Sequence, residues 1–374
     1  MLVFKTDLTS PVQREDLLVF AEKKAVSRQI EKEYLIRRLL EEENLLASLC
    51  AEGIVPGTSL EELATKELSL LFSRCFDPLF EGYVPSTSRT LSFPAYERSL
   101  LHLLDCTDPA ALYRGLVSHY STFGMGQESK YAAYKWQNGT LLGIKRPDKA
   151  DLDSLYCLER QKTELCANVE SFLSGKPFNN VLLYGNSGCG KSSMTKALLY
   201  KYRDRGLRMV QIGKEELQTL PALLERLQEK RFFYIIFMDD LSFEEPDENY
   251  KTLKILLDGG MEGQPENVLF CATSNRCHLV SERFEDRQGG DVHAGDTRNE
   301  QMSLSERFGI RIAFFSPSQN DYLKIVEGLL LQEGIAFSAD LRTAALQWAT
   351  LYNGKSGRSA TQFVRSVLAG KDEQ

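Results

Sequence analysis

Short runs of apolar residues in the middle of the chain predict β-strands, because a strand that is buried on both faces is apolar along its length. Segments with the three- and four-residue apolar spacing of helices separate these runs. Strands that alternate with helices indicate an α/β fold with a parallel sheet. The five predicted strands are Val181–Tyr184, Leu207–Gly213, Phe232–Asp240, Asn267–Asn275 and Ile310–Phe315.

The parts of the chain on either side of these strands are mainly helical in pattern. Leu17–Cys50 predicts one long helix or two in succession, and further helical stretches follow up to about residue 120. In Tyr131–Ile144 the pattern changes, since Asn138-Gly139 between aromatic and aliphatic runs is typical of a two-residue hairpin turn. Gln319–Ala369 contains three helical patterns. We therefore predict a mainly helical N-terminal domain (1–144), an α/β domain (145–317) and a helical C-terminal domain (318–374).

The first predicted strand leads into a loop that matches the phosphate-binding pattern G-x-x-x-x-G-K-[ST]. Glycines let backbone N–H groups point at a phosphate, and the next helix adds a positive partial charge at its N-terminus. Lys191 is predicted to reach the β- and γ-phosphates of ATP, and the Ser192 hydroxyl to ligate Mg²⁺. A turn that is merely rich in glycine would not explain the lysine. The predicted nucleotide-binding residues are Gly185, Asn186, Ser187, Gly188, Cys189, Gly190, Lys191, Ser192 and Ser193.

Two later strands end in polar residues suited to phosphate chemistry. Phe232–Asp240 ends in two carboxylates, of which Asp239 is the predicted Mg²⁺ ligand and Asp240 the predicted base for the attacking water. Two aspartates that simply begin a loop are the alternative. Asn267–Asn275 ends in Thr-Ser-Asn, and the neutral Asn275 side chain could bond both a γ-phosphate and the attacking water.

The composition of the chain limits the kinds of molecule that the protein is expected to bind. With 45 basic and 52 acidic residues the formal charge is −7, which gives no support for nucleic acid as a partner, although a local basic patch is compatible with it. No apolar run approaches the length of a bilayer span, and Met1–Ser10 does not resemble a signal peptide. The eight cysteines form no C-x-x-C pair. We therefore expect a cytoplasmic protein with no membrane partner.

Three smaller features of the sequence have both a functional and a structural interpretation. Cys189 lies in the phosphate loop at a helix N-terminus, a position that lowers a thiol pKa; a thiol that faces the core and is inert is the alternative. Ser281–Glu300 is polar and contains glycine, which predicts a surface insertion, and His293 within it has no partner at metal-ligand spacing. His102 and His119 are lone histidines in apolar helices, which predicts structural roles.

Taken in this order, the phosphate loop, the two polar strand tips, an Arg-Phe-Gly and the terminal helices resemble the AAA+ ATPases. The resemblance implies a P-loop α/β core with a parallel five-stranded sheet of order 5-1-4-3-2, followed by a C-terminal helical lid. It implies that Asn275 is sensor 1, that Arg307 in "SERFG" is an arginine finger for a neighbouring subunit, and that Arg358 in "GRSA" is the sensor 2 arginine. Asp240 stands where many members have Glu, which leaves the rate of hydrolysis open. About residues 140–370 resemble more closely a bacterial AAA+ family still classed as a domain of unknown function.

These features support four hypotheses about function. The first is an AAA+ ATPase, a homo-oligomer that couples nucleotide state or hydrolysis to the rearrangement of an unidentified protein client or of itself. The second is a switch that binds ATP and hydrolyses little of it. A P-loop kinase for a small molecule is weaker, because Arg307, Arg358 and the helical C-terminus do not fit it. A replication-loader role is also weaker, because the charge is negative.

Overall fold

In the computed structural model, the chain is described at residues 3–6, 8, 12–24, 29–51, 53–73, 94–228, 230, 232–243, 248–257, 264–275, 304–352 and 354–370. It forms two compact units. One comprises Met1–Ala132 with the short pieces Gly143–Arg146 and Glu229–Arg231, and the other comprises Ala133–Leu142, Pro147–Gln228 and Phe232–Gln374. The predicted insertion Ser281–Glu300, with His293, lies outside the described residues.

The first unit is helical. Its long amphipathic pattern forms three helices rather than one or two, since Asn44 caps the third of them by accepting a hydrogen bond from the Ala47 N–H at 2.9 Å. Tyr120 ties the core together, donating its hydroxyl to the Leu39 carbonyl at 2.7 Å. The helices are α1 (Arg14–Lys24), α2 (Ile30–Glu41), α3 (Leu45–Ala51), α4 (Thr58–Phe72), α5 (Pro94–Asp105) and α6 (Pro109–Phe123).

The second unit is built on a seven-stranded sheet of order β2-β1-β4-β5-β6-β3-β7. Every strand pair from β1 to β7 in that order is parallel. All seven residues of β6 are buried, as expected for a central strand. The strands are β1 (Ala133–Gln137), β2 (Thr140–Gly143), β3 (Val181–Gly185), β4 (Leu207–Ile212), β5 (Phe233–Met238), β6 (Val268–Ser274) and β7 (Ile310–Phe314).

The predicted sheet of five strands is therefore wrong in its strand number, because the hairpin β1-β2 belongs to the sheet and not to the helical domain. The hairpin turns at Asn138 and Gly139, whose φ values of 50° and 70° suit a type I′ turn. β1 then pairs with β4, with Ala133 opposite Met209. The Trp136 Nε1–H donates to the Thr219 hydroxyl at 2.8 Å, so a side chain also fixes the hairpin to this unit.

Helices follow the strands of the second unit and complete it. The sequence also predicts a helix over about Leu155–Ser174, but this helix begins only at Glu159, because Cys157 has a φ of 60°, outside the helical region. The remaining helices are α7 (Glu159–Leu173), α8 (Lys191–Tyr202), α9 (Leu220–Gln228), α10 (Glu248–Leu257), α11 (Gln319–Gln332), α12 (Ala339–Leu351) and α13 (Gly357–Ala369). We call α11–α13 the C-terminal bundle. It has its own apolar core, which includes Tyr322, Leu330 and Phe363. Among the described residues, no helix combines the length and the apolar character needed to cross a membrane.

Candidate nucleotide-binding site

The loop between β3 and α8 depends on glycine at two positions. A Cβ atom on Gly185 would lie 2.1 Å from the Phe314 carbonyl oxygen, so only glycine allows β3 to approach β7 this closely. Gly188 has a φ of 73°, and a Cβ there would lie 3.2 Å from both the Cβ of Arg358 and the Oγ of Ser356. The glycines therefore give the loop its fold and its close contact with the C-terminal bundle.

Lys191 begins α8, and its ammonium group points back across the loop. Its Nζ donates to the Gly185 and Asn186 carbonyl oxygens at 2.7 and 2.8 Å and to the Asn275 Oδ1 at 2.9 Å. Burial lowers the pKa of Lys191, and the nearby Cys189, Asp240 and Asp239 oppose that shift. All three acceptors are neutral oxygens, so a phosphate can replace them with a stronger, charged partner.

The predicted metal ligands Ser192 and Asp239 lie together. The Ser192 hydroxyl donates to the Asp239 Oδ1 at 2.6 Å. The Thr273 hydroxyl donates to the same oxygen, also at 2.6 Å. The tips of α8, β5 and β6 therefore meet at one carboxylate.

The second carboxylate, Asp240, is held by its neighbours on β6. Its Oδ1 accepts a hydrogen bond from the Asn275 Nδ2 at 2.6 Å. Its backbone N–H donates to the Thr273 hydroxyl at 2.8 Å. Because Asn275 also accepts from Lys191, its amide connects the loop lysine to the second carboxylate.

The residues at this edge of the sheet fit Mg²⁺ and a nucleoside triphosphate. A hydroxyl and a carboxylate 2.6 Å apart are oxygen ligands of the kind Mg²⁺ uses, since it takes few protein ligands and keeps several waters. Within the described ranges there is no cluster of three His, Cys, Asp or Glu side chains that could hold a metal ion without a nucleotide. The lysine and the glycine loop supply the cradle for phosphates.

A cleft of about 880 Å³ lies over these groups. Its polar lining includes the phosphate loop, Asp239, Asp240, Thr273 and Asn275. Apolar side chains also line it, namely Leu155 and Leu158 before α7 and Ile325 and Leu329 of α11. The cleft thus offers both polar and apolar groups, as a nucleotide requires.

The C-terminal bundle contributes Arg358 to the cleft. The Arg358 backbone N–H donates to the Gly188 carbonyl oxygen at 3.1 Å, and its exposed side chain lines the cleft. Tyr156 fixes the bundle from the opposite side, since its hydroxyl donates to the Gly328 carbonyl oxygen at 3.1 Å. Arg365, two turns after Arg358 on α13, lines the same cleft.

Arg307 lies elsewhere. It follows a short helical turn and is separated by two residues from β7, which is an end strand of the sheet. Arg307 is not among the described residues that line the cleft. The structure therefore brings Arg358, Asn275, Asp239 and Asp240 together with the phosphate loop but does not bring Arg307 to them.

The expectation of a low pKa for Cys189 is wrong. The Cys189 side chain is buried, and burial raises its pKa although the helix N-terminus and Lys191 are close. Its Sγ contacts the Ser187 carbonyl oxygen at 3.7 Å. The burial of this thiol agrees with the alternative that the sequence left open, a side chain that faces the core.

Sequence reasoning missed three parts of the site. Thr273 is the first residue of the Thr-Ser-Asn tip, but only the pairing of β5 with β6 shows that its hydroxyl meets the Asp239 carboxylate and the Asp240 backbone N–H. Leu155–Leu158 falls within the helix that the sequence predicts over Leu155–Ser174, and only the structure shows that this segment precedes the helix and lines the cleft. Arg365 could have been found from its spacing of seven residues from Arg358, which puts both arginines on one face of a helix.

A parallel sheet with a phosphate loop, an acidic tip on β5, a polar tip on β6 and a C-terminal helical bundle at the cleft is a P-loop α/β fold of the AAA+ type. The chain belongs to the family described as "Protein of unknown function (DUF815)", which matches residues 129–371.

Solved structures share parts of this fold. The Thermotoga maritima RuvB Holliday junction branch migration motor is 14% identical over 58% of this chain and 72% of that chain, with a TM-score of 0.37. The Aeropyrum pernix ORC1 protein, solved in complex with DNA, is 16% identical over 59% of this chain and 61% of that chain, with a TM-score of 0.44. At these identities the likeness concerns the fold alone. No curated protein matches the sequence.

Proposed function

We propose that the protein is an AAA+ ATPase that binds Mg-ATP at the phosphate loop and couples nucleotide state or hydrolysis to the rearrangement of a partner or of its own oligomer. One observation carries the proposal: Lys191, Asp240 and Asn275 form a continuous hydrogen-bonded group beside the Ser192–Asp239 pair. A fold-building turn would need neither two carboxylates nor a buried lysine at this place.

Each group has a chemical role in this proposal. Lys191 exchanges its three carbonyl acceptors for phosphate oxygens. Ser192 and Asp239 hold Mg²⁺, which neutralises phosphate charge when it is bound. Asn275 orients the attacking water and Asp240 accepts its proton, while Arg358 brings a positive charge from the C-terminal bundle, which acts as a lid.

The apolar lining of the cleft is the proposed site of the base. It comes from two parts of the chain, since Leu155 and Leu158 precede α7 and Ile325 and Leu329 belong to α11. The Tyr156 hydroxyl bonds the first part to the bundle through the Gly328 carbonyl. A bound base would contact both the segment before α7 and the lid, and nucleotide binding would in this way change the position of the C-terminal bundle.

The test is the ATPase rate per chain, measured against protein concentration with and without DNA. An oligomeric AAA+ ATPase should show a rate per chain that rises with concentration, because its sites are completed between subunits. A rise on adding DNA alone would favour the replication-loader hypothesis instead. Failure to bind Mg-ATP at all, measured by calorimetry, would exclude the proposed function.

A second candidate is an ATP-dependent switch with little hydrolysis. The observation in its favour is that the carboxylate of Asp240 already accepts a hydrogen bond from Asn275 at 2.6 Å, and aspartate is shorter than the glutamate of many AAA+ ATPases. Tight ATP binding without turnover at any protein concentration would support the switch.

A further inference from the structure

The Thr273 side chain is buried at the end of β6 and makes two strong contacts with consecutive acidic residues. Its hydroxyl donates to the Asp239 Oδ1 at 2.6 Å and accepts from the Asp240 backbone N–H at 2.8 Å. Only 1% of the residue is exposed. One hydroxyl group therefore uses both its donor and an acceptor position on the acidic turn.

The register of the sheet places the Thr273 side chain beside the acidic turn. Met238, the last residue of β5, pairs with Ala272 of β6, so Asp239 and Thr273 are the next residues along two adjacent parallel strands. The Thr273 carbonyl also accepts from the Leu241 N–H at 2.7 Å. Thr273 thus contacts three successive residues of the turn through its side chain and its backbone.

The turn needs such support because of its backbone. Asp240 has a φ of 54°, in the left-handed region that residues other than glycine sparsely populate. Its N–H is directed at the Thr273 hydroxyl, and its carboxylate at the Asn275 amide. The side chains of Thr273 in β6 and of Asn275 just after it therefore hold this conformation, in which the two carboxylates point in different directions.

We propose that Thr273 is a positioning residue that fixes the Asp239 carboxylate for Mg²⁺ and holds Asp240 in its left-handed conformation. The inference rests on the proposed function. Asp239 Oδ1 accepts from two hydroxyls, those of Ser192 and Thr273. When Ser192 turns to the metal ion, Thr273 remains the donor that stops the carboxylate from rotating.

The test compares Thr273→Val, which replaces the hydroxyl by a methyl group of similar size, with Thr273→Ser, which keeps the hydroxyl. Thr195→Val is the matched control: Thr195 is also fully buried, and its hydroxyl contacts the Lys191 carbonyl and Cys271 Sγ rather than a carboxylate. Mn²⁺ binding to the full chain, in the presence of a non-hydrolysable ATP analogue, is followed by electron paramagnetic resonance. Binding of the same analogue in EDTA is measured by calorimetry.

We expect Thr273→Val to weaken Mn²⁺ binding roughly 10- to 100-fold, the usual loss when a group that orients a metal ligand is removed. Metal-free binding of the analogue should change less than about twofold, since Thr273 does not contact the loop, and Thr273→Ser should restore most of the Mn²⁺ affinity. If Thr273→Val fails to fold, Thr273→Ala carries the same expectation.

Two results would overturn the inference and leave the proposed function intact. One is wild-type Mn²⁺ affinity in Thr273→Val, and the other is an equal loss in Thr195→Val. A wild-type protein that binds neither the analogue nor Mn²⁺ with it would overturn the proposed function itself.

Discussion

At the scale of single residues, the site is a set of polar groups that bond one another and that ATP and Mg²⁺ would rearrange. Lys191 shows this best, because its ammonium is buried and bonded to three neutral oxygens. The burial of the ammonium group thus leaves it largely desolvated. Binding a phosphate exchanges one set of acceptors for another and adds a charge–charge attraction in a partly desolvated place.

Lys191→Ala should lower ATP affinity by roughly 100-fold, because charge-assisted hydrogen bonds to the phosphates are lost. Calorimetry measures the change. Lys201→Ala is the matched control, since Lys201 lies on the same helix and contacts Cys166 instead of the loop. Unchanged affinity in Lys191→Ala would show that the loop does not bind the phosphates.

Asp240→Asn should bind ATP normally and turn it over roughly 10²- to 10⁴-fold more slowly, the range usual for loss of a general base. The amide oxygen can still accept from Asn275, so the geometry should be retained. Asp239→Asn should differ by weakening the dependence on Mg²⁺. Normal turnover by Asp240→Asn would move the base elsewhere, and the nearby Glu244 and Glu245 lie outside the described residues.

At the scale of elements, β6 organises the site because it lies between the loop strand β3 and the acidic strand β5. The sequence predicts each of these strands, since a strand that is buried on both faces is visible in the sequence as a continuous apolar run. It did not predict that β1 pairs with β4, because residues 133–136 and 209–212 are distant in the chain and local patterns do not specify partners. For the same reason, the contact of Thr273 with Asp239 could not be predicted from the chain alone.

The contact between the phosphate loop and the C-terminal bundle gives a prediction at this scale. Gly188→Ala places a Cβ 3.2 Å from the Arg358 Cβ at a φ of 73°. It should lower the free energy of unfolding by about 1–2 kcal/mol through the backbone alone, and should also weaken ATP binding because Arg358 is displaced.

The matched control is Gly354→Ala. Gly354 has nearly the same φ, 74°, but no atom within 4 Å of the added Cβ. It should show the loss of stability without the loss of affinity, measured by urea unfolding and calorimetry. Equal ATP affinities in the two variants would mean that the loop and the bundle are not coupled.

At the scale of the whole molecule, the question is whether one chain contains a complete site. The structure brings Arg358 to the cleft and leaves Arg307 beside β7, at the end of the sheet. Asp239, Asp240 and Asn275 were predicted from the ends of strands and do meet the loop. A position outside its own cleft is the one that a finger acting on a neighbouring subunit requires of Arg307.

Arg307→Ala should retain ATP affinity and lose roughly 10³- to 10⁵-fold in turnover, the range known for arginine fingers. Mixed with Lys191→Ala, which keeps its own Arg307, it should recover part of the activity, because one subunit supplies the site and the other the arginine. The measurement is the ATPase rate at protein concentrations that form the oligomer. Wild-type turnover by Arg307→Ala alone, or no recovery on mixing, would contradict a finger in trans.

His119 gives the molecule a dependence on pH. It is fully buried in the first unit, its Nδ1 lies 2.9 Å from the Ser99 hydroxyl, and burial lowers its pKa to about 3. The unfolded chain, with a pKa near 6.5, takes up this proton first. The stability from the neutral imidazole is therefore complete above about pH 6.5 and declines as the pH falls towards 3.

Between pH 6.5 and 5 this decline amounts to about 2 kcal/mol in the free energy of unfolding. Urea unfolding at several pH values measures it. His119→Phe keeps an aromatic ring beside Tyr96 and Phe123. It should reduce the slope of the free energy of unfolding against pH by the contribution of one proton. An unchanged slope would show that His119 does not titrate between the two states.

Gly185 restricts the substitutions that this sequence can accept during evolution. A side chain there would meet the Phe314 carbonyl oxygen at 2.1 Å, and that oxygen belongs to the backbone of a paired strand, so it cannot swing aside as a side chain would. At the next position, the Asn186 side chain contacts only the Ser316 hydroxyl at 2.9 Å among the bonds described. Residue 186 can therefore be replaced by a single substitution during neutral drift. At position 185, any residue other than glycine would require β3 and β7 to move apart.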